Sequence, residues 1–262
     1  MIAIVRYLSL EFHVLFIVMM RNFFGLLFVV PQFLQKHSPS LKTNKLGLHF
    51  FRGIAALISM ITSFLAIAEL PLAEAASLSF IGPILTTVAA IFLLKEKVSS
   101  RTWIATFCGA IGVLIILRPG FREFNPAYFY VFISVIFWAI SNILIKLLTK
   151  TENSQSMVIY MSLVMLIFSI PLAIPYFESV DFEDLFWFVM LGIFSNLTQT
   201  YISLSYRRSD LAVVQPFYFT RLIFVSVISY LAFDEKIDIW VVVGSLVILG
   251  GVIAGSSKLK LK

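Results

Sequence analysis

Nine long apolar runs divide the chain, and each ends where charged residues, Pro or Asn interrupt it. The runs cover approximately residues 12–34, 46–68, 72–94, 102–117, 126–148, 156–177, 185–206, 211–233 and 239–256. A helix of about 20 consecutive apolar residues crosses the hydrocarbon core of a bilayer. The pattern therefore predicts an all-α integral membrane protein with nine full transmembrane helices.

A shorter apolar stub, Met1 to Leu10, precedes these runs. At a rise of 1.5 Å per residue, a helix of ten residues reaches about 15 Å, which is half the thickness of the hydrocarbon core. We therefore expect the stub to be too short for a full span. It has no basic start followed by an apolar stretch and a small-residue cleavage site, so we do not expect a cleaved signal peptide.

The composition agrees with a membrane protein. Of the 262 residues, 60% are hydrophobic and 13% are charged, and the mean hydropathy is +0.98. A soluble domain has about 45–50% apolar and about 25% charged residues, so a soluble single domain is excluded. The 27 Phe residues exclude a disordered chain, which would be poor in aromatic side chains.

The net charge of +6 is first a signal of topology. The connections after the first, third, fifth and seventh runs and the C-terminal tail contain 13 Lys and Arg residues when Lys146, at the end of the fifth run, is included, and the opposite set contains 4. The richer set is predicted to be cytoplasmic, and the C-terminus with it. The basic residues are scattered between apolar runs, so we expect no nucleic-acid partner.

The residues needed for metal binding or catalysis are sparse. Cys108 is the only cysteine, and the three histidines are far apart in the sequence. This pattern predicts no intrachain disulfide, no metal site and no cofactor. The chain has neither a phosphate-binding Walker motif nor the nucleophile elbow of a hydrolase, so we expect neither ATP hydrolysis nor an intramembrane enzyme.

The second half of the chain repeats the first with the opposite orientation. When the chain is aligned with itself, 46–113 matches 185–252 without a gap, and 13 of the 68 positions are identical. This repeat alignment carries each helix onto the one five helices later, so the second copy is inserted upside down. Inverted repeats are characteristic of secondary transporters. The run 126–148 lacks a complete counterpart, which predicts a ten-helix design without about the first fourteen residues.

Several short motifs give the chain a family resemblance. They are Phe51-Arg52-Gly53, Pro71-Leu72-Ala73, Gly82-Pro83, Lys95-Glu96-Lys97, Gly112-Val113, Gln215-Pro216, Asp234-Glu235-Lys236 and Gly251-Val252. With these motifs the chain resembles the EamA-type ten-helix transporters of the drug/metabolite transporter superfamily. The resemblance implies a first repeat over 1–118, a second over 126–256 and a basic cytoplasmic tail over 257–262. It also implies alternating access in the inner (plasma) membrane.

Within the superfamily, the chain is similar to the S-adenosylmethionine uptake transporters of obligate intracellular bacteria. Phe51-Arg52-Gly53, Phe124-Asn125-Pro126 and the stretch from Tyr218 to Glu235 carry this narrower resemblance. It implies uptake of a small polar metabolite. Two alternatives stay open, namely export of amino-acid-like or other organic anions and an inactive truncated remnant. The sequence does not determine the oligomeric state.

Three arginines lie inside the predicted spans, namely Arg21, Arg52 and Arg221. An arginine at the centre of a span costs about 2.5–3.5 kcal/mol on insertion scales, so it usually faces a polar cavity or a partner. Arg52 is near a predicted cytoplasmic end and can reach the headgroups. Because no carboxylate inside the predicted spans is placed to neutralise these arginines, we predict an anionic or zwitterionic substrate bound by Arg221, Arg21 and Arg52.

Polar and aromatic residues of other predicted spans complete the candidate site. They are Tyr218, Gln215, Asn142, Trp138 and Gln199. Pro83 and Pro216 interrupt central helices, where a proline removes one backbone hydrogen bond, and are candidate hinges. The alternative for the polar residues is hydrogen bonding between helices, and the alternative for the prolines is a tolerated kink.

Other residues are expected to be structural. His13 and His49 stand at span ends, where solvated histidines are expected. We interpret Glu96 and Glu235 as turn residues that pair with lysine, with proton coupling as the alternative. Small residues recur at helical spacing near Gly112 and Gly251, which predicts close packing of two helices.

Overall fold

The computed structural model describes residues 1–33, 42–96, 98–117, 125–233 and 239–256. Its α-helices, in chain order, are α1 (Ile2–Leu8), α2 (Val14–Phe33), α3 (Leu46–Glu69), α4 (Leu72–Leu78), α5 (Ile81–Leu94), α6 (Ser100–Leu117), α7 (Tyr128–Leu148), α8 (Ser154–Ala173), α9 (Phe182–Arg208), α10 (Leu211–Val214), α11 (Arg221–Phe233) and α12 (Ile239–Ser256). Short 3₁₀ helices cover Ile174–Tyr176 and Gln215–Thr220. The described residues contain no β-strand, which confirms the all-α prediction.

Five helical segments among the described residues are long and apolar enough to cross a membrane. They are Leu46–Glu69, Tyr128–Leu148, Ser154–Tyr176, Phe182–Arg208 and Leu211–Ala232. Val14–Val29, Ile81–Leu94 and Val242–Gly251 are shorter apolar helices. The count of nine full spans stays a prediction. The predicted tail 257–262 and the motif Asp234-Glu235-Lys236 lie outside the described residues.

Large apolar side chains cover the outside of the bundle. Phe92 and Leu231 are each 75% exposed, and Phe182 is 89% exposed. In water such a surface would aggregate, whereas lipid tails solvate it without penalty. The buried side includes polar groups such as Asn22, Ser203 and Gln215. This distribution is that of a helical bundle in a bilayer.

The predicted run 72–94 is not one helix, because a turn at Ser79 and Phe80 separates α4 from α5. Pro83 explains the break, since a proline nitrogen has no hydrogen to donate to the carbonyl four residues earlier. That carbonyl belongs to Ser79, and it accepts instead from the nitrogen of Gly82 at 3.0 Å. The expectation of one continuous helix over this run is therefore wrong.

The predicted run 211–233 changes its winding partway along. After α10, residues Gln215–Thr220 form a 3₁₀ helix with Pro216 in its first turn, and α11 follows directly. A 3₁₀ stretch inside a helix is narrower and has poorer hydrogen-bond geometry than an α-helix. Both runs that carry a predicted hinge proline are therefore irregular near it.

Helix packing brings the two halves of the chain together. α3 packs on α7 and α8, α2 packs on α8 and α9, and α6 packs on α12. Gly53 lies against Val164, while Gly192 lies against Phe24 and the backbone of Gly25. Glycine at these crossings lets the helices approach closely, because no Cβ separates them.

The pair α6 and α12 is the tight contact that the small-residue pattern predicts. A Cβ built at Gly112 would lie 2.7 Å from the carbonyl oxygen of Gly244, and one at Gly251 would lie 3.5 Å from that of Ala105. The packing interpretation of these residues is confirmed.

The stub forms α1, whose seven residues are too few to cross a bilayer. Arg6 on α1 donates to the carbonyl oxygens of Ile67 at 2.9 Å and Ala68 at 2.7 Å. These carbonyls are at the C-terminal end of α3, where backbone acceptors have no partner within the helix. α1 therefore caps α3 and closes one side of the bundle.

Candidate functional site

A cavity of about 180 Å³ lies inside the bundle. Residues of α2, α3, α5, α7, α8, α9, the Gln215–Thr220 helix and α11 line it, together with Met1 and the turn between α4 and α5. Its polar lining side chains are Arg21, Ser59, Ser63, Ser79, Ser134, Trp138, Ser141, Asn142, Thr198, Gln199, Tyr218 and Arg221. No Asp or Glu is among the described lining residues.

Arg221 provides a cation to this cavity. It begins α11, and its guanidinium carbon is 5.6 Å from the ring centroid of Phe80. Its Nε is buried and has no hydrogen-bond partner among the described residues, while the side chain as a whole is half-buried. A buried guanidinium without an anion is costly, so this position favours a ligand that brings negative charge.

Arg21 also reaches the cavity, but its side chain is hydrogen-bonded. Its Nε donates to Ser195 Oγ at 2.7 Å and its Nη1 donates to Asn22 Oδ1 at 2.6 Å. Both neutral partners keep the positive charge, so Arg21 adds to the positive potential of the cavity. The two predicted arginines therefore line one cavity but differ in their need for a ligand.

Aromatic residues and a hydrogen-bonded chain form another wall. The rings of Trp138 and Tyr218 are 5.0 Å apart in an edge-to-face arrangement. The hydroxyl oxygens of Tyr218 and Tyr206 are 3.2 Å apart, and Gln215 Nε2 donates to the hydroxyl of Tyr206 at 3.0 Å. Gln215 therefore supports Tyr218 from behind rather than lining the cavity, which the sequence did not distinguish.

Asn142 and Gln199 line the cavity together with Pro83. The Nδ2 of Asn142 is buried without a hydrogen-bond partner, which makes it available to a ligand or a water molecule. Pro216 is buried in the 3₁₀ helix and is not among the lining residues. The candidate hinges therefore differ in position, with only Pro83 at the cavity.

Arg52 does not join the other arginines. It is completely buried between α3 and α8, where its Nη1 donates to the carbonyl oxygen of Met157 at 2.6 Å. The expectation that it reaches the headgroups is wrong, because α8 covers the side chain. This contact is a hydrogen bond between two helices.

The sequence reasoning missed the hydroxyl groups on α3 and α7. Ser59 and Ser63 are one turn apart on α3 and line the cavity opposite Ser134. Ser59 Oγ also donates to the carbonyl oxygen of Ser134 at 2.9 Å. Their spacing of four residues in an otherwise apolar helix was the available signal.

Glu96 has a further role besides pairing with lysine. Its Oε1 and Oε2 accept from the backbone nitrogens of Leu211 and Ala212, each at 3.0 Å, at the start of α10. Lys146 Nζ is 3.8 Å from Glu96 Oε1 and donates to the carbonyl oxygen of Ser209 at 2.6 Å. Glu96 therefore caps a helix of the other half, where carboxylates interact favourably with the free N–H groups.

The expectation of solvated histidines is wrong for His49, whereas His13 is half-buried. His13 stacks on Tyr176 at 3.5 Å between ring centroids, and His49 is only 1% exposed. Both side chains pack where connections fold back over helix ends. Among the described residues, no group of three His, Cys, Asp or Glu side chains could hold a metal ion.

Known proteins resemble this chain over most of its length. The S-adenosylmethionine uptake transporter of Rickettsia prowazekii is 25% identical over 244 residues, which are 93% of this chain and 83% of that protein. The riboflavin transporter of Vibrio cholerae is 30% identical over 181 residues, covering 68% of this chain and 60% of that protein.

A solved crystal structure of a protein superposes with a TM-score of 0.80 at 15% identity, over 97% of this chain and 95% of that chain. This likeness concerns the fold alone. The profile of the EamA-like transporter family matches residues 1–118 and 125–256, which are almost the whole chain. The chain is therefore a multi-pass membrane protein that belongs to the EamA-like transporter family.

Proposed function

We propose that the chain is a secondary transporter whose cavity binds the anionic group of a small polar metabolite. The observation that carries this proposal is Arg221, which lines the cavity and whose buried Nε has no hydrogen-bond partner among the described residues. Arg21 strengthens the positive potential. A carboxylate can accept two parallel hydrogen bonds from one guanidinium, which makes it the fitting ligand.

The substrate that this site fits best is S-adenosylmethionine, taken up into the cell. Its carboxylate would bind Arg221, and its sulfonium would rest against the aromatic faces of Trp138 and Tyr218, which attract cations. Asn142 and Gln199 would accept from and donate to its remaining polar groups. The relatives named S-adenosylmethionine uptake transporters support this choice.

Riboflavin is the second candidate, because a riboflavin transporter shares 30% identity with part of the chain. Its flat ring system could stack on Trp138 or Tyr218. However, riboflavin is neutral at pH 7 and would leave the charge of Arg221 without a partner. The guanidinium of Arg221 therefore favours a substrate with a carboxylate over a neutral ring compound.

Two inverted repeats, 1–118 and 126–256, would provide the alternating access. Residues that the repeat alignment pairs make reciprocal contacts, which supports this architecture. Gly53 against Val164 corresponds to Gly192 against Gly25 when the offset of the alignment is continued to Gly25 and Val164, and the turn at Phe80 corresponds to the 3₁₀ segment at Phe219.

The rings of Phe80 and Phe219 meet at a centroid distance of 5.2 Å, as expected for equivalent residues beside a two-fold axis. Repeats that are related in this way can rock around one central site. Pro83 and Pro216 would act as hinges of this motion, because the backbone near each is already irregular.

Uptake of labelled S-adenosylmethionine by bacterial cells that express the chain tests the proposal. We expect saturable uptake that Arg221→Ala reduces at least tenfold and Arg221→Lys restores only in part, since lysine cannot form the paired hydrogen bonds. Arg101→Ala is the matched control, because Arg101 is exposed at the start of α6. Normal uptake by both Arg221 variants would refute the anion site.

The same cells distinguish the alternatives. Competition by excess riboflavin alone would assign the riboflavin transporters' substrate to this chain. Faster efflux of labelled anions from preloaded cells would indicate an exporter. Absence of both fluxes, with the protein present in the membrane, would favour an inactive remnant.

A further inference from the structure

A second polar cluster is buried away from the cavity, where α3 begins. His49 on α3 and Glu152 in the connection between α7 and α8 approach each other, with 3.8 Å between Nε2 and Oε2. The side chains are 1% and 8% exposed. Glu152 Oε1 also accepts from Thr43 Oγ1 at 2.8 Å. The cavity lining includes none of these residues, so the cluster is a separate feature.

The groups around His49 leave its ring without a hydrogen bond. Both ring nitrogens are buried, and neither has a hydrogen-bond partner among the residues that the structure describes. From α8, the ring of Tyr160 lies 4.5 Å from the imidazole, and Arg52 faces it from one turn further along α3. The Nε and Nη2 of Arg52 are also buried without partners. Buried polar atoms without partners are rare in folded proteins, so this group calls for an explanation.

The other half of the chain shows that packing does not require this cluster. In the repeat alignment, Phe188 takes the position of His49, and the same offset, continued beyond the aligned ranges, places His13 at the position of Glu152. Phe188 is buried among aromatic rings, 5.2 Å from Phe12 and 5.8 Å from Phe16. A phenylalanine therefore fills the equivalent position in the second half. The ionisable pair of His49 and Glu152 is not needed for packing.

The pair also joins the two halves. α3 belongs to the first half and Glu152 to the second, and both are on the side that the Lys and Arg distribution assigns to the cytoplasm. A motion that opened the cavity to this side by separating the halves would break this contact. The interaction between His49 and Glu152 would therefore hold the structure closed on this side.

We propose that His49 and Glu152 form a proton-binding pair that controls opening on the cytoplasmic side. With a proton on the imidazole, an imidazolium faces a carboxylate across the two halves and holds them together. When the proton leaves to cytoplasmic water, the attraction is lost and the neutral ring nitrogens gain by reaching water, so the halves separate. This inference rests on the proposed alternating access.

Nuclear magnetic resonance of the full chain in lipid nanodiscs tests the proton site without a substrate. The chain has three histidines, and ¹⁵N labelling of their rings reports protonation between pH 5 and 9 once His49→Phe identifies the resonance. We expect the His49 ring to titrate. Glu152→Gln should lower the pH midpoint of this titration by about one unit or more, because a carboxylate within 4–6 Å stabilises the imidazolium. The matched control His13→Gln should leave the midpoint unchanged.

Uptake measurements then test the control of opening. The rate in the wild type should change with cytoplasmic pH, and both His49→Phe and Glu152→Gln should lose this dependence while retaining uptake. His13→Gln should keep it. His49→Phe copies the residue of the equivalent position, so we expect it to fold.

The outcomes separate this inference from the proposed function. A His49 resonance that does not titrate, or that ignores Glu152→Gln, would overturn the proton site whatever is transported. A pH-dependent rate that survives in both variants would overturn the control of opening. If the wild type transports no tested compound, the proposed function fails, and the resonance measurement still decides whether the pair binds a proton.

Discussion

The two arginines of the cavity show how neighbours decide what a residue does. Both lie near the middle of apolar runs, so the sequence predicts the same free-energy cost of membrane insertion and the same candidate role for each. In the fold, Ser195 and Asn22 accept hydrogen bonds from Arg21, whereas Arg221 lies against Phe80. Ser195 is 174 residues from Arg21, and no local pattern predicts that meeting.

Tyr206 supports the cavity from outside its lining, and we predict that Tyr206→Phe weakens substrate binding. The change removes the contact to the hydroxyl of Tyr218 and leaves Gln215 Nε2 without its acceptor. A hydrogen bond of this kind contributes about 1 kcal/mol, which corresponds to a change of about fivefold in affinity. The half-saturation concentration of uptake measures it, and exposed Tyr230→Phe is the control. An unchanged value would mean that Tyr218 is positioned by packing alone.

Gly192 offers a test of the crossing between α2 and α9. A Cβ at this position would lie 2.6 Å from the Cβ of Phe24 and 2.8 Å from the backbone nitrogen of Gly25. Since backbone atoms cannot move aside cheaply, we expect Gly192→Ala to lower the free energy of unfolding by about 1–3 kcal/mol. Thermal unfolding in detergent measures the loss. Gly250→Ala, with no atom within 4 Å of its new methyl group, should leave the midpoint unchanged or raise it.

At the scale of elements, the prolines explain why two predicted helices are irregular. Pro83 removes a donor and a turn forms at Ser79 and Phe80, whereas Pro216 is accommodated in a 3₁₀ segment without a break. The sequence located both irregularities but not their form, because the form depends on what packs around each proline. Phe219, beside Pro216, is fully buried against Gly109 of α6, and this contact holds the segment in place.

The cap on α10 can be tested at Glu96. Glu96→Ala removes both acceptors and leaves the nitrogens of Leu211 and Ala212 without them. We expect a loss of about 1–3 kcal/mol in unfolding free energy and faster amide hydrogen exchange over residues 211–214. Glu96→Gln should show a smaller effect, since one carbonyl oxygen can still accept. Glu69→Ala, at an exposed position, is the control, and equal exchange in all variants would refute the capping role.

At the scale of the whole molecule, each half contains a basic side chain that donates to the end of a helix of the same half, and the two contacts correspond to one another. Arg6 donates to carbonyl oxygens at the end of α3, and Lys146 donates to the carbonyl oxygens of Tyr206 and Ser209 at the end of α9. The repeat alignment pairs Ile67, an acceptor for Arg6, with Tyr206. α1 therefore caps one half as the end of α7 caps the other.

The orientation in the membrane follows from charge and can be measured directly. We predict that the C-terminus is cytoplasmic, because 13 of the Lys and Arg residues are on its side and 4 are on the other. A green fluorescent protein fused to Lys262 should fluoresce, whereas alkaline phosphatase fused there should be inactive. The opposite pair of results would invert the assignment and would put the His49–Glu152 pair at the outer face.

The sequence by itself determined the class of the protein, its apolar helices and the positions of its costly charges. Hydropathy and composition are sums over neighbouring residues, so they can be evaluated without knowledge of the fold. The tertiary structure alone decided that Arg221 lines the cavity with its Nε unpartnered among the described residues, that Arg52 does not reach the cavity, and that His49 meets Glu152. These outcomes depend on partners more than one hundred residues away, and only the packing of helices from both halves brings such partners together.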